Sequence, residues 1–167
     1  MNSITKPNLV AFSISGILCV CLAASAAPMP KEGNFDFNFC FVADIHHVAV
    51  TDKAGVGHFT NGAALHSLQP GGPFDLQGAR CFGYYGNVEG QYSDQGYCEL
   101  IDADGDRWLM KFLTGPEQSG TWNVAAGTGK YVGMTATGSY KPLGFVSSPE
   151  PGRNQRCNRN TGTYKLK

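Results

Sequence analysis

Asp102, Asp104 and Asp106 alternate through Asp102–Ala–Asp–Gly–Asp106 and could offer three carboxylates to a calcium ion. An EF-hand loop needs Gly at its sixth position and Glu at its twelfth. Counted from Asp102, those positions hold Arg107 and Leu113, so the segment reads as a solvated hairpin turn. His46, His47, His58 and His66 are the candidate transition-metal ligands. They fit neither His-x-His nor HExxH spacing, and neighbouring histidines on a strand point to opposite faces. A site would need His46 and His58 on adjacent strands, both turned inward. No metal and no cofactor is therefore expected. Gly127–Thr–Gly129 is not followed by a helical pattern or by Gly-Lys-Ser/Thr at phosphate-loop spacing, and reads as a structural corner. No GxSxG elbow places a nucleophile beside a base. Glu99 and Asp44 could serve as general acid or base if a cavity buried them.

Aromatic residues are the other chemical resource. Tyr84, Tyr85, Tyr97, Trp108, Trp122, Tyr131 and Tyr140 suffice to line a pocket or to fill a small core. From these and the carboxylates, Tyr84, Glu99, Trp108 and Trp122 are the candidate ligand-contacting residues.

Six cysteines occur in 167 residues. Met1 to Asn8 carries Lys6, Leu9 to Leu22 is apolar, and Ala24–Ser–Ala26 is a small-x-small site. This order is that of an export signal cleaved after Ala26, leaving residues 27–167 as one domain. Cys19 and Cys21 leave with the signal. Cys40, Cys81, Cys98 and Cys157 remain, an even set that implies disulfides in a periplasmic or secreted protein. Three pairings are open. Cys81 and Cys98 could bridge neighbouring strands, and Cys40 with Cys157 could join the chain ends if a barrel closed. The apolar leader is shorter than a membrane span, and no second apolar run follows it. With 13 basic and 13 acidic residues, nothing draws the chain to nucleic acid or to an anionic membrane.

These residues need a scaffold, and the pattern is all-β. Phe35, Phe37, Phe39 and Phe41 share one face of a strand from Phe35 to Val42, an order that a helix would scatter. Ile45 to Thr51, Val56 to Ala63, Ala79 to Tyr85 (with Asn87 to Tyr92 as its continuation), Gly96 to Ile101 and Arg107 to Leu113 read as further strands. The stretch Gly120 to Tyr140 organises the rest: alternation around Trp122 and Val124, the glycine corner, then a second alternating run to Tyr140. Lys141 to Arg159, rich in Pro, Gly and Ser, reads as the longest loop, and Asn160 to Lys167 as the last strand. About eight short strands with regular turns predict an antiparallel, calycin-like meander closed into a barrel, which removes exposed edges. Eight strands leave room for side chains or one small ligand.

Gly96 to Arg107 (GYCELIDADGDR), Gly120 to Val124 (GTWNV), Gly127 to Gly133 (GTGKYVG) and Gly138 to Tyr140 (GSY) together resemble small exported bacterial proteins of uncharacterised role. Those proteins are grouped with the allene oxide cyclase and dirigent barrel superfamily. The resemblance implies an eight-stranded antiparallel barrel with an apolar cavity. In its plant members the pocket steers a reactive intermediate and sets stereochemistry. Three functional expectations follow. One is an exported barrel that binds a small apolar ligand or a partner protein. The second is a cofactor-free cyclase or isomerase that templates a reactive intermediate. The third is a structural or host-interaction protein with a filled barrel. An open cavity with a buried carboxylate would favour the enzyme, an open cavity without one the binder, and a packed interior the third.

Overall fold

The computed structural model describes residues 29–69 and 71–167. The export signal read over residues 1–26 lies outside them. The described residues form eight strands: β1 (Glu32–Ala49), β2 (Ala54–Ser67), β3 (Gln77–Val88), β4 (Gln91–Ile101), β5 (Arg107–Thr114), β6 (Gly120–Gly127), β7 (Thr135–Val146) and β8 (Arg153–Lys165). Each pairs antiparallel with its sequence neighbour, and β1 pairs with β8 to close the barrel. One short 3-10 turn, Gly129–Tyr131, interrupts the β6–β7 connection. Closure gives each of these strands two partners, although β6 and β7 pair only over Gly120–Asn123 and Thr137–Tyr140.

β1 sets the geometry. Its odd-numbered residues from Phe35 to Ile45 face inward, so the phenylalanine alternation continues past Val42 instead of ending there. The two expected strands Phe35–Val42 and Ile45–Thr51 are thus one strand of 18 residues. Ala43 and Asp44 keep the period of two, and only the turn after Ala49 breaks it. The expected continuation Asn87–Tyr92 instead spans a hairpin, with Glu89 and Gly90 at positive φ between β3 and β4. The expected long loop Lys141–Arg159 is the largest correction. β7 runs to Val146 and β8 starts at Arg153, and a bulge between Pro142 and Gly144 absorbs the proline.

One half of the interior is solid. Phe35, Phe37, Leu65, Leu100, Trp108, Trp122, Tyr131 and Tyr164 are buried there. Phe74, from the loop after β2, plugs this end, its ring 5.1 Å from that of Trp108 and 5.4 Å from that of Tyr164. Buried polar atoms in this half are paired in series. Trp108 Nε1 donates to Gln77 (2.8 Å), Gln77 Nε2 donates to Tyr131 (2.8 Å), and the Tyr131 hydroxyl donates to Asp102 (2.9 Å).

Both disulfides form, as Cys40–Cys157 and Cys81–Cys98. Each joins residues directly opposite one another on paired strands. Cys40 lies on the outer face, whereas Cys81 and Cys98 are buried inside.

Candidate functional site

The other half of the barrel is hollow. A cavity of about 240 Å³ lies beyond the Phe39 level and is lined by inward residues of seven strands. Its apolar wall comes from Phe39, Phe41, Ala43 and Ile45 of β1, with Phe59, Phe112, Met110 and the inner disulfide. These side chains alternate with outward ones, so strand parity alone brings them together.

Its polar wall has two parts. On the β4–β5 side stands Asp94, only 6% exposed. The Tyr92 hydroxyl donates to its Oδ2 (2.6 Å) and the Thr114 hydroxyl donates to its Oδ1. The Tyr140 hydroxyl is in turn hydrogen-bonded to Thr114. Burial, reinforced by the Asp94 carboxylate, pushes the Tyr92 phenol well above its ordinary value. Burial does the same to Tyr140. Both remain neutral phenols across the physiological range, so the cluster offers one carboxylate held by hydroxyl donors. The second part is β8, whose alternate residues Asn154, Arg156, Asn158 and Asn160 line the cavity. Arg156 donates to Gln118, and its guanidinium stands 5.2 Å over the Phe41 ring. Asn160 accepts from Trp122 Nε1 (3.0 Å), tying the polar wall to the packed half.

The four ligand candidates chosen by residue type lie elsewhere. Tyr84 is 59% exposed on the outer face, where it accepts from Gln95. Glu99 is also outside, between Arg80 (3.1 Å) and Arg107, and the Arg107 and Arg80 hydrogen bonds hold its carboxyl below the usual range. Trp108 and Trp122 are interior but sit in the packed half and do not border the cavity. Asp44, the other acid–base candidate, is paired with Arg153 on the outside (2.8 Å).

His46 and His58 are paired across β1 and β2 with ring centroids 4.7 Å apart, but on the outer face. Among the described residues, no group of three or more His, Cys, Asp or Glu side chains could hold a metal ion. The Asp102–Asp106 turn is committed structurally. Asp102 Oδ1 accepts from the backbone of Asp104 (2.9 Å) and Asp106 (3.0 Å), and Lys130 pairs with its Oδ2 (2.8 Å). The glycine corner docks on the same turn. Gly129, at φ +50°, leaves the space that the Asp106 carboxylate occupies, and Lys130 N donates to that carboxylate (3.1 Å).

Residue type alone missed Asp94 and the β8 row. For Asp94 a signal existed: it shares the parity of Cys98 and Leu100, so the buried face of β4 carries a carboxylate.

The closed eight-stranded antiparallel meander is also the fold of solved dirigent proteins. The pterocarpan synthase dirigent protein PsPTS1 has this fold: its TM-score to this chain is 0.52 at 12% identity, covering 84% of this chain and 98% of that one. The pterocarpan synthase dirigent protein GePTS1 aligns with a TM-score of 0.49 at 12% identity, over 87% of this chain and 96% of that one. At such identity the likeness concerns the fold alone. No protein-family model and no curated protein matches the chain.

Proposed function

We propose that the protein binds a small, mainly apolar molecule in the open half of its barrel. The carrying observation is the division of the interior: aromatic packing fills one end, while the other encloses about 240 Å³ with a largely apolar lining. Native cores are packed without voids of that size, and a concave apolar site with a few converging polar groups is the usual form of a ligand pocket. A wholly filled, structural barrel is disfavoured on the same ground. The disulfides suit an oxidising compartment, which supports export after cleavage at Ala26. Native mass spectrometry of protein purified from its own source tests both ideas. A co-purifying small molecule and an N-terminus at Ala27 are expected. An empty barrel, together with no thermal shift from a panel of apolar compounds, would overturn the binding reading.

A second reading has its own support. Asp94 is a buried carboxylate on the cavity wall, the feature expected of the enzyme, and such a group can protonate or deprotonate a bound molecule without a cofactor. This reading stands second because both Asp94 oxygens already accept from the Tyr92 and Thr114 hydroxyls. A cyclase or isomerase that holds a reactive intermediate against Asp94 would use the same cavity. Asp94→Leu should then abolish turnover of a substrate found by the mass measurement while leaving its binding intact.

A further inference from the structure

Several polar groups on the cavity wall are already committed. Both Asp94 oxygens accept hydroxyl hydrogen bonds, Arg156 is engaged with Gln118 and Phe41, and Asn160 accepts from Trp122. Two acceptors differ. Asn61 Oδ1 on β2 and Asn158 Oδ1 on β8 are buried without a hydrogen-bond partner, in residues each only 7% exposed. Both residues line the cavity, on either side of β1. A buried acceptor left unpaired is destabilising, and native proteins pair such groups unless a ligand or water completes them.

We propose that the cavity selects an uncharged ligand whose apolar body carries two hydrogen-bond donors, one for Asn61 and one for Asn158. This rests on the reading that the cavity is a ligand site. The charge follows from the wall. Asp94 and Arg156 bring one charge of each sign, so an ionised ligand would leave a net charge in a low-dielectric space. The donors follow from the oxygens, because a carbonyl oxygen can only accept. Ala43, opposite both Asn61 and Asn154 in the strand register, contributes only a methyl group, which keeps that stretch of wall open.

Three compounds with one skeleton separate the possibilities: 1,4-benzenedimethanol, its bis(methyl ether) and p-xylene. Binding is read by thermal midpoint and by NMR of the Met110 methyl group, which borders the cavity. The diol should bind about tenfold more tightly than the ether for each acceptor satisfied. Asn61→Leu and Asn158→Leu should each lose that preference, with an unliganded midpoint unchanged or raised. If p-xylene and the ether bind as well as the diol, the cavity is a ligand site but the two oxygens do not select, and this inference fails alone. If none of the three binds, it fails together with the binding reading. A lowered midpoint in both leucine variants without ligand would show that the asparagines are structural, and would also overturn it.

Discussion

Phe35 and Trp122 stack with ring centroids 5.0 Å apart across two intervening strands. Trp122 on β6 is opposite Gly138 on β7, Gly138 is opposite Gly162 on β8, and Gly162 is opposite Phe35 on β1. Two large rings therefore lean together over a floor that has no side chains. A Cβ at Gly138 would lie 2.7 Å from the Trp122 ring, and one at Gly162 would lie 2.1 Å from the Thr137 carbonyl oxygen. Replacing Gly by Ala within a strand usually helps by about 0.5–1 kcal/mol. Here each should cost about 1–3 kcal/mol through overpacking, with Gly162→Ala the worse because backbone cannot swing aside. Gly62→Ala, where a Cβ meets nothing within 4 Å, is the control and should stabilise by about 0.5–1 kcal/mol. Urea denaturation of the three variants checks the order.

The seam of the barrel is pinned at Cys40 and Cys157, opposite residues separated by 117 positions in sequence. Cys81–Cys98 spans only 17. A longer loop restricts the unfolded chain more, so the paired serine variants should lose about 4–5 kcal/mol at the seam and about 3 kcal/mol at the inner bridge. The two should also differ in kind. Only the inner bridge borders the cavity, so only its removal should change ligand affinity as well as the denaturation midpoint.

The barrel was legible in the chain because its packed half obeys simple alternation: Phe35, Phe37 and Phe39 fall on one face and stay buried. The hollow half was harder to read. β8 turns Asn154, Arg156, Asn158 and Asn160 toward a cavity rather than a core, so its inward face is polar and shows no hydrophobic period. With Pro142 next to a bulge of β7 opposite it, the whole region has the composition of a loop. Residue type points to Tyr84 and Glu99, but the opposed pair Cys81 and Cys98 fixes the inward face of β3 and β4 and leaves both outside. Trp108 and Trp122 are interior but away from the cavity. Depth along the barrel axis, which decides between core and cavity, leaves no mark in a strand's periodicity.

Phe74 holds its plug position with φ +61°, a left-handed backbone that a bulky side chain rarely adopts. Burial of its ring among Phe35, Phe37, Trp108 and Tyr164 offsets that strain. Phe74→Ala should cost about 3–5 kcal/mol, because it empties the plug and keeps the strain. Phe74→Gly should be the milder change by about 1 kcal/mol, since glycine accepts positive φ freely. That order reverses the usual one, and equilibrium unfolding of the two variants decides it.

Asp102 ties the β4–β5 turn to the glycine corner through Lys130 and Tyr131. Burial pushes its carboxyl up, but the hydrogen bonds from Lys130 and Tyr131 outweigh that and hold it below the ordinary aspartate range. A carboxyl lowered in the folded state adds stability that is complete above its unfolded value of about 3.9, and that stability is lost as pH falls through the lower folded value. Asp102→Asn keeps an oxygen for the Asp104 and Asp106 amides but puts an amide NH2 where Oδ2 accepted from Lys130 and Tyr131, so it removes the charge and that acceptor together. The variant should therefore melt below the wild type at pH 7, and the gap should close as the pH is taken below about 3.9. A gap that stays constant from neutral pH to pH 2 would mean that Asp102 acts through its shape and not its charge. Thermal midpoints of both proteins across that range, at fixed ionic strength, make the measurement.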